Sequence, residues 1–279
     1  YWNHSLFSTP GTYKIETSLI GAGAEKEIFS SPEFTITEAG FWRKLFREFF
    51  YQPLYNILVF LIDIAPGKSL GFAIILLTIL IRLILLVPSQ KAIVSQRKMQ
   101  QLQPKLEHIK KTYAGNQERI GQETMKLWKE NKVNPFGSCL PILIQFPVLI
   151  ALFYVIQNGL NPDNSHLIYS FVNNVDFNNI STNFLGILEL TRVNIFVLPL
   201  LVGALQFLQL KLAMMKKKTE GKEQAPASEM ETANKTMVYI MPVMIAVFTA
   251  SVPAGVGLYW GISTLFALVQ QIVANRGKI

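Results

Sequence analysis

Apolar residues in this chain are gathered in blocks, not spread at the 2- or 3.6-residue periods of a water-facing fold. Runs of about 15 to 20 mostly apolar residues alternate with basic, polar stretches, and runs of that length match the hydrocarbon core of a bilayer. The first runs from Leu70 to Val87, reaches about 27 Å as a helix, and is ended by Pro88 and a polar segment. The others are Phe136–Ile156, Val193–Leu212, Met237–Ser251 and Gly255–Ala274, the fourth being short at about 15 residues. The pattern predicts an α-helical polytopic membrane protein with five transmembrane helices.

The segments between and before these blocks have their own patterns. Residues 1–38 alternate apolar and polar positions between Gly, Ser and Pro breaks, as in "GTYKIETSLIG" and "KEIFSSPEFTIT". They read as the C-terminal remnant of an extracytoplasmic β-rich domain, in a chain that starts at Tyr1 and so reads as trimmed. Residues 39–66 form an amphipathic interfacial segment. In "GFWRKLFREFFYQP", Phe41, Trp42, Leu45, Phe46, Phe49 and Phe50 share one helical face and Arg43, Lys44, Arg47 and Glu48 the other. That helix lies on the membrane or packs on the missing domain. The following 13 residues, "PLYNILVFLIDIA", are too few to span and read as interfacial or re-entrant. Residues 67–276 hold the five helices, with a hairpin at 88–134. There Met99, Leu102, Leu106, Ile109 and Tyr113 recur at helical spacing, "AGNQ" interrupts, and Ile120, Leu127 and Trp128 resume. The polar loop 213–235 reads as a flexible connection.

Charge gives the orientation. Lys and Arg number ten in residues 88–134, six in 211–236 and two in the tail, against Arg192 alone in 157–192 and 252–254. Under the positive-inside rule the hairpin, the 211–236 loop and the C-terminus are cytosolic and the N-terminal part is outside, in a bacterial inner membrane periplasmic. The net charge of +8 suggests nucleic acid in a soluble chain, but these charges flank apolar blocks. Orientation and anionic lipid explain them better, so no direct nucleic-acid partner is expected. Cys139 is the only cysteine, and His4, His108 and His166 are far apart, so no metal site or other cofactor is expected. Gly67-Lys68-Ser69 resembles the end of a phosphate-binding loop, but Ile62 stands where that motif needs its first glycine. No Ser/His, paired-Asp or metal set lies in the spans, which argues against an enzyme.

One residue breaks the apolar pattern. Arg82 sits in "LLTILIRLILLVPSQK" with no acidic residue in any span to pair with it, since Asp63 and Glu189 lie near the outer side. An Arg at mid-span costs about 2.5–3.5 kcal/mol on insertion scales and usually faces an interior or a wet cavity. The other reading is snorkelling, because Arg82 lies about 7.5 Å from the end of the run. Thr78 stands one turn before it on the same face. The remaining spans carry Gln145, Gln206, Gln209, Thr249, Ser263, Thr264, Gln270 and Gln271. Together these line a hydrophilic groove, or each makes an interhelical hydrogen bond worth about 0.6 kcal/mol. Pro135, Pro141 and Pro147 fall in or at the start of one span and free backbone carbonyls there. The last two spans form a tight hairpin turning at Pro253-Ala254-Gly255. Gly257 and Gly261 form a GxxxG suited to close internal packing, and Tyr259 and Trp260 fall where an aromatic belt is expected.

"ILIRLILLVP", "QPKLEHIK", "KVNPFGSCLPILIQFPVLIALFY" and "VPAGVGLYWGISTLFALVQQ", in this order and separated by the hairpin, resemble the YidC/Oxa family of membrane protein insertases. The resemblance covers residues 40–276. It implies five helices around a hydrophilic groove open to cytosol and lipid and closed outside. It further implies that Arg82 receives the polar tail of a nascent membrane protein, that Tyr259 and Trp260 lie on the exit path, and that the hairpin meets the ribosome, with a Sec translocon as a further partner. Trp260 stands where a second Tyr is common, and Ser138 where a second Gly is. A small-molecule or ion transporter using the same groove is the competing reading. Transporters usually show paired intramembrane charges or inverted repeats, and neither is visible here.

Overall fold

The computed structural model describes residues 11–19, 27–36, 40–134, 140–161, 164, 167–170, 172, 176–214 and 229–276. Pro135, Ser138 and Cys139 lie outside them. Near the N-terminus, β1 (Gly11–Tyr13) pairs antiparallel with β4 (Phe34–Ile36), and β2 (Glu16–Leu19) with β3 (Glu27–Ser30). The rest of the described chain is helical: α1 (Phe41–Phe46), α2 (Gln52–Ile64), α3 (Leu70–Ile84), α4 (Leu86–Thr112), α5 (Gln117–Glu130), α6 (Leu140–Tyr154), α7 (Val197–Met214), α8 (Glu229–Thr249) and α9 (Ala254–Arg276). A small hairpin, β5 (Asn183–Phe184) and β6 (Leu188–Glu189), lies between α6 and α7.

The amphipathic segment does not keep one apolar face. A π turn over Arg47–Tyr51 joins α1 to α2 and shifts the register by its extra residue. Phe41, Trp42 and Phe49 stand exposed, while Phe46 and Phe50 stack on each other, centroids 6.0 Å apart, against the core. Nor is α2 merely superficial. Tyr55, Leu58, Val59 and Ile62 are wholly buried on one face, which packs on α3 and α6.

Among the described residues, two helices, Val197–Met214 and Ala254–Asn275, are each long and apolar enough to cross a membrane, and α3 with α4 makes a third such unit, bent by 64°. The bend corrects the expected Leu70–Val87 span. Pro88 has no N–H to give to the Ile84 carbonyl, and its ring crowds that carbonyl, so the helix fails three residues before the proline. The α3 helix therefore ends at Ile84, and Pro88 falls in the first turn of α4. The Val193 start of the third span is corrected too. Val193 is held in a bridge to Pro253 and Asn194 Oδ1 accepts from Leu198 N at 3.0 Å, so helix begins only at Val197. The fourth helix starts earlier than its apolar run: α8 is 21 residues long, with Thr236–Thr249 its apolar part.

The core binds α2, α3, α6 and α9, while α7 packs along both α8 and α9. The α4–α5 hairpin closes on its own small cluster of Leu102, Leu106, Leu127 and Val133, with Met99, Ile109 and Trp128 against it. Its turn uses Gly115 at φ +87° and Asn116, whose side chain caps α5 by accepting from Arg119 N.

The opposite end of the bundle, the loop end, is knitted by backbone bonds. The orphan N–H groups that open a helix find carbonyls in the 176–193 connection: Leu70 N bonds Ser181 O at 2.9 Å, Ala254 N bonds Arg192 O at 2.7 Å, and Gly255 N bonds Leu190 O at 2.8 Å. Gly255 allows this close approach, since a Cβ would stand 2.8 Å from Ile156 Cδ1 and 3.2 Å from Leu190 O. Buried Asn56 of α2 ties down the start of the same connection. Its Nδ2 donates to Gln52 O (2.8 Å) and Leu167 O (2.9 Å), and its Oδ1 accepts from Tyr169 N (2.6 Å).

Candidate functional site

Helix α9 is the common wall of the polar residues inside the bundle. At 100° per residue, Tyr259, Ser263 and Gln270 fall on one face, and Trp260, Thr264 and Gln271 about 100° away on another. Gly257 and Gly261 lie on a third side. A Cβ at Gly257 would meet Thr249 and Leu198, and one at Gly261 would meet Val202, so these glycines face α7 and the end of α8.

The first face meets α3 and α6. Tyr259 is 1% exposed, and its phenol oxygen accepts a hydrogen bond from Gln145 Nε2. Burial corrects the aromatic-belt expectation for Tyr259, because a belt residue must reach the interface. Ser263 stands beside the phenol, and the charge of Arg82 acts on it from α3. Gln145 of α6 thus meets Tyr259 of α9, and the charge of Arg82 on α3 acts on the same phenol. Gln145 comes from α6 just before Pro147, which lies inside that helix. Pro141 lies in its first turn.

Arg82 occupies the last turn of α3, where the partial negative charge of the helix C-terminus favours a cation by about 0.3–1 kcal/mol. The side chain is half-buried, and Nε is shut off from solvent without an acceptor. No acidic residue among the described ones pairs with it, in contrast to the surface cations Lys14 and Lys68, which pair with Glu16 and Asp63. The charge is therefore neither fully hydrated nor neutralised. Thr78, wholly buried one turn earlier, offers no help: its hydroxyl donates to its own helix at Ile74 O, 2.6 Å.

The structure does not gather the other residues around Arg82. Trp260 Nε1 donates to Gln206 Oε1 at 3.5 Å, and Gln206 Nε2 to Gln209 Oε1 at 3.3 Å, making a separate α7–α9 contact beside Phe248. Gln270 lies on the Tyr259 face, about 16 Å further along α9 by helical rise. There Ser89 of α4 donates to its Oε1 at 2.9 Å, while its own Nε2 is buried without a partner. Arg97 bonds Asn275 close by. Ser89 and Asn56 carry no sequence signal that marks them. Both are single polar residues whose partners lie more than a hundred positions away.

The arrangement is a polar seam along one face of α9, interrupted by Phe266, with Arg82, Tyr259 and Ser263 at one level and Gln270 at another, and a donor to spare at each. Spare buried donors suit a guest that brings acceptors: a carboxylate, or the carbonyls of an extended backbone.

The sequence matches known proteins over most of its length. The family model described as 60Kd inner membrane protein matches residues 60–279. A membrane protein insertase YidC of Fusobacterium nucleatum is 35% identical over 225 residues, covering 80% of this chain and 95% of that protein. One from Oceanobacillus iheyensis is 31% identical over 214 residues, 75% of this chain and 76% of its own length. One from Shewanella halifaxensis is 33% identical over 226 residues, 81% of this chain but 36% of its own length.

Proposed function

The chain belongs to the 60Kd inner membrane protein family, and we propose that it works as a membrane protein insertase, the activity its relatives are named for. It is a mostly helical, polytopic inner-membrane protein. In this reading α3, α6, α7, α8 and α9 are the five spans. The α4–α5 hairpin end faces the cytosol, as the imbalance of eighteen Lys and Arg against one favours, and the N-terminal strands face the periplasm.

The single observation that carries the mechanism is Arg82: a cation without an ion pair among the described residues, in the last turn of an apolar helix, its charge acting on the buried Tyr259 phenol to which Gln145 donates. A nascent protein's polar tail supplies the missing acceptor. The seam shortens the apolar barrier which that tail must cross. Burial of the substrate's own apolar helix in lipid, at about 25 cal/mol per Å², supplies the drive. The loop end stays closed behind its backbone bonds, so the tail is not lost through it while the apolar helix leaves sideways. The basic hairpin offers the surface on which a ribosome delivers the chain, with a Sec translocon as a further partner.

A photo-crosslinker at Gln145, inside the seam, and one at Val243, exposed on α8, distinguish the routes. A stalled single-span chain with an acidic tail is expected to capture its tail at position 145 and its apolar segment at 243. Tail capture at 243, with none at 145, refutes the seam.

A further inference from the structure

The β5–β6 hairpin has its apolar residues in an unusual place. Its base is polar, with Thr182 and Asn183 on one side and Glu189 on the other. Its tip is Phe184-Leu185-Gly186-Ile187-Leu188. Leu185 and Ile187 are 71% and 73% exposed. The turn closes through Ile187 N to Phe184 O at 3.2 Å, with Leu185 at φ +55° and Gly186 at φ +72°. A turn with two positive φ values is best served by Asn-Gly. A leucine there is held in a conformation bulky residues avoid, with its side chain outward. Turn chemistry does not account for that choice; apolar surroundings do.

The geometry says where the tip is. The bridge between Ser69 and Ser181 is parallel, so the strand leaves it in the direction in which α3 sets out. Three residues on, the Phe184 ring lies against Gly71 and meets the Phe72 ring edge-on, centroids 5.5 Å apart. The hairpin therefore runs alongside the first turn of α3 instead of away from the bundle, and its tip lies level with that turn or below it. The return strand is fixed at the same level, since Leu190 bonds both Thr182 and the start of α9. Exposed Val193, which bridges to Pro253 at that level, and Ile195 and Phe196 after it repeat the apolar exposure.

We propose that the β5–β6 hairpin is a lipid-inserted wedge: Leu185 and Ile187 sit among acyl chains at the loop-end face of the bilayer, with Asn183 and Glu189 at the head-group level. An insertion of about one helical turn, roughly 5 Å, matches the depth of interfacial apolar elements. The occupant is bilayer because the hairpin lies beside an apolar helix, follows its direction and carries no charge between Thr182 and Leu188. The wedge rests on α3 crossing the bilayer, not on insertase activity.

The test is spin labelling of Leu185→Cys and Ile187→Cys in a Cys139→Ser background, in liposomes of phosphatidylethanolamine and phosphatidylglycerol. Collision with O₂ is compared with collision with a water-soluble nickel chelate. Labels at Leu80→Cys, on the exposed side of α3, and Met125→Cys, exposed on α5, report lipid and water. A wedge gives an O₂-to-nickel ratio at 185 and 187 severalfold above that at 125 and approaching that at 80. Water-like ratios at 185 and 187 with a lipid-like Leu80 overturn the wedge and leave the span standing; water-like ratios at all positions overturn both. Dipolar broadening at 185 shows a second copy as the occupant and also overturns it.

Discussion

Replacing Arg82 by Met keeps most of the aliphatic stem and removes only the charge and its donors. The structure makes the consequences for stability and for activity opposite in sign. An enclosed Nε without a partner costs about 1–3 kcal/mol relative to no polar group at all. Against this, losing the cation at the α3 C-terminus forfeits about 0.3–1 kcal/mol. The net expectation is a variant between about equally stable and about 2.7 kcal/mol more stable than the parent, read as unfolding free energy in bicelles. Insertion moves the other way. A guanidinium 4 Å from a substrate carboxylate gains about 1 kcal/mol in a fully wet groove and about 4 kcal/mol at an effective dielectric of 20. The lower figure already means about fivefold less insertion of a substrate with an acidic tail. A substrate with a neutral tail falls less, and Arg82→Lys retains part of the activity, because charge matters more than fork geometry where water fills the gaps. Insertion into liposomes, scored by protease protection, gives the second number. A Met variant destabilised by more than about 1 kcal/mol makes Arg82 a structural cation. A stable Met variant that inserts acidic-tailed substrates at full rate removes Arg82 as the receptor.

Three further expectations concern the loop end. Gly71→Ala places a methyl group into the Phe184 ring, so the hairpin shifts at a cost of about 1–3 kcal/mol; the loss shrinks when Phe184→Ala is already present, and simple additivity in the double-variant cycle counts against the contact. Asn56→Ala removes three hydrogen bonds between α2 and its own turn or the 167–169 segment, about 2–3 kcal/mol at about 1 kcal/mol each; protease cutting near residue 167 rises, and an unchanged cutting rate contradicts the tie. Partial burial pulls the Glu189 pKa upward, but the Thr182 and Thr191 hydroxyls, the Thr191 N–H and Arg192 outweigh it and hold the pKa below the ordinary glutamate value. The carboxylate thus contributes stability that is fully present above the unfolded-state pKa and is lost as pH falls through the depressed one; acid unfolding of Glu189→Gln compared with the parent should show less pH dependence in that acidic window, and identical profiles refute it.

What hydropathy could and could not reveal follows from what each feature depends on. The α4–α5 hairpin was legible at Met99, Leu102, Leu106, Leu127 and Trp128, because two short helices with a glycine turn between them are specified by neighbours a few positions away. Hydropathy carries the first span on to Val87 because it counts side chains, whereas Pro88 acts through a missing N–H on a carbonyl four residues earlier. Val193 was misplaced because its partner is the backbone of Pro253, which no local window contains. Arg82 announced itself as a charge in an apolar run. Its neighbours did not, since the sequence shows that Gln145, Gln206 and Gln270 are polar and in spans but not which helix each one faces. One part of that was available: Tyr259 and Trp260 are consecutive, so they point about 100° apart on a helix and cannot line one narrow surface. The structure turns that rule into chemistry. It sends Tyr259 to Gln145, within reach of the Arg82 charge, and Trp260 to Gln206, so in the proposed mechanism a tail held at Arg82 would touch Tyr259. On the same proposal a departing apolar helix would meet Trp260 only after rounding α9. The proposed mechanism therefore assigns the two aromatics to successive stages of one passage and predicts that Tyr259→Phe weakens capture of an acidic tail while Trp260→Ala slows release of the apolar helix, which crosslinking at positions 145 and 243 would separate.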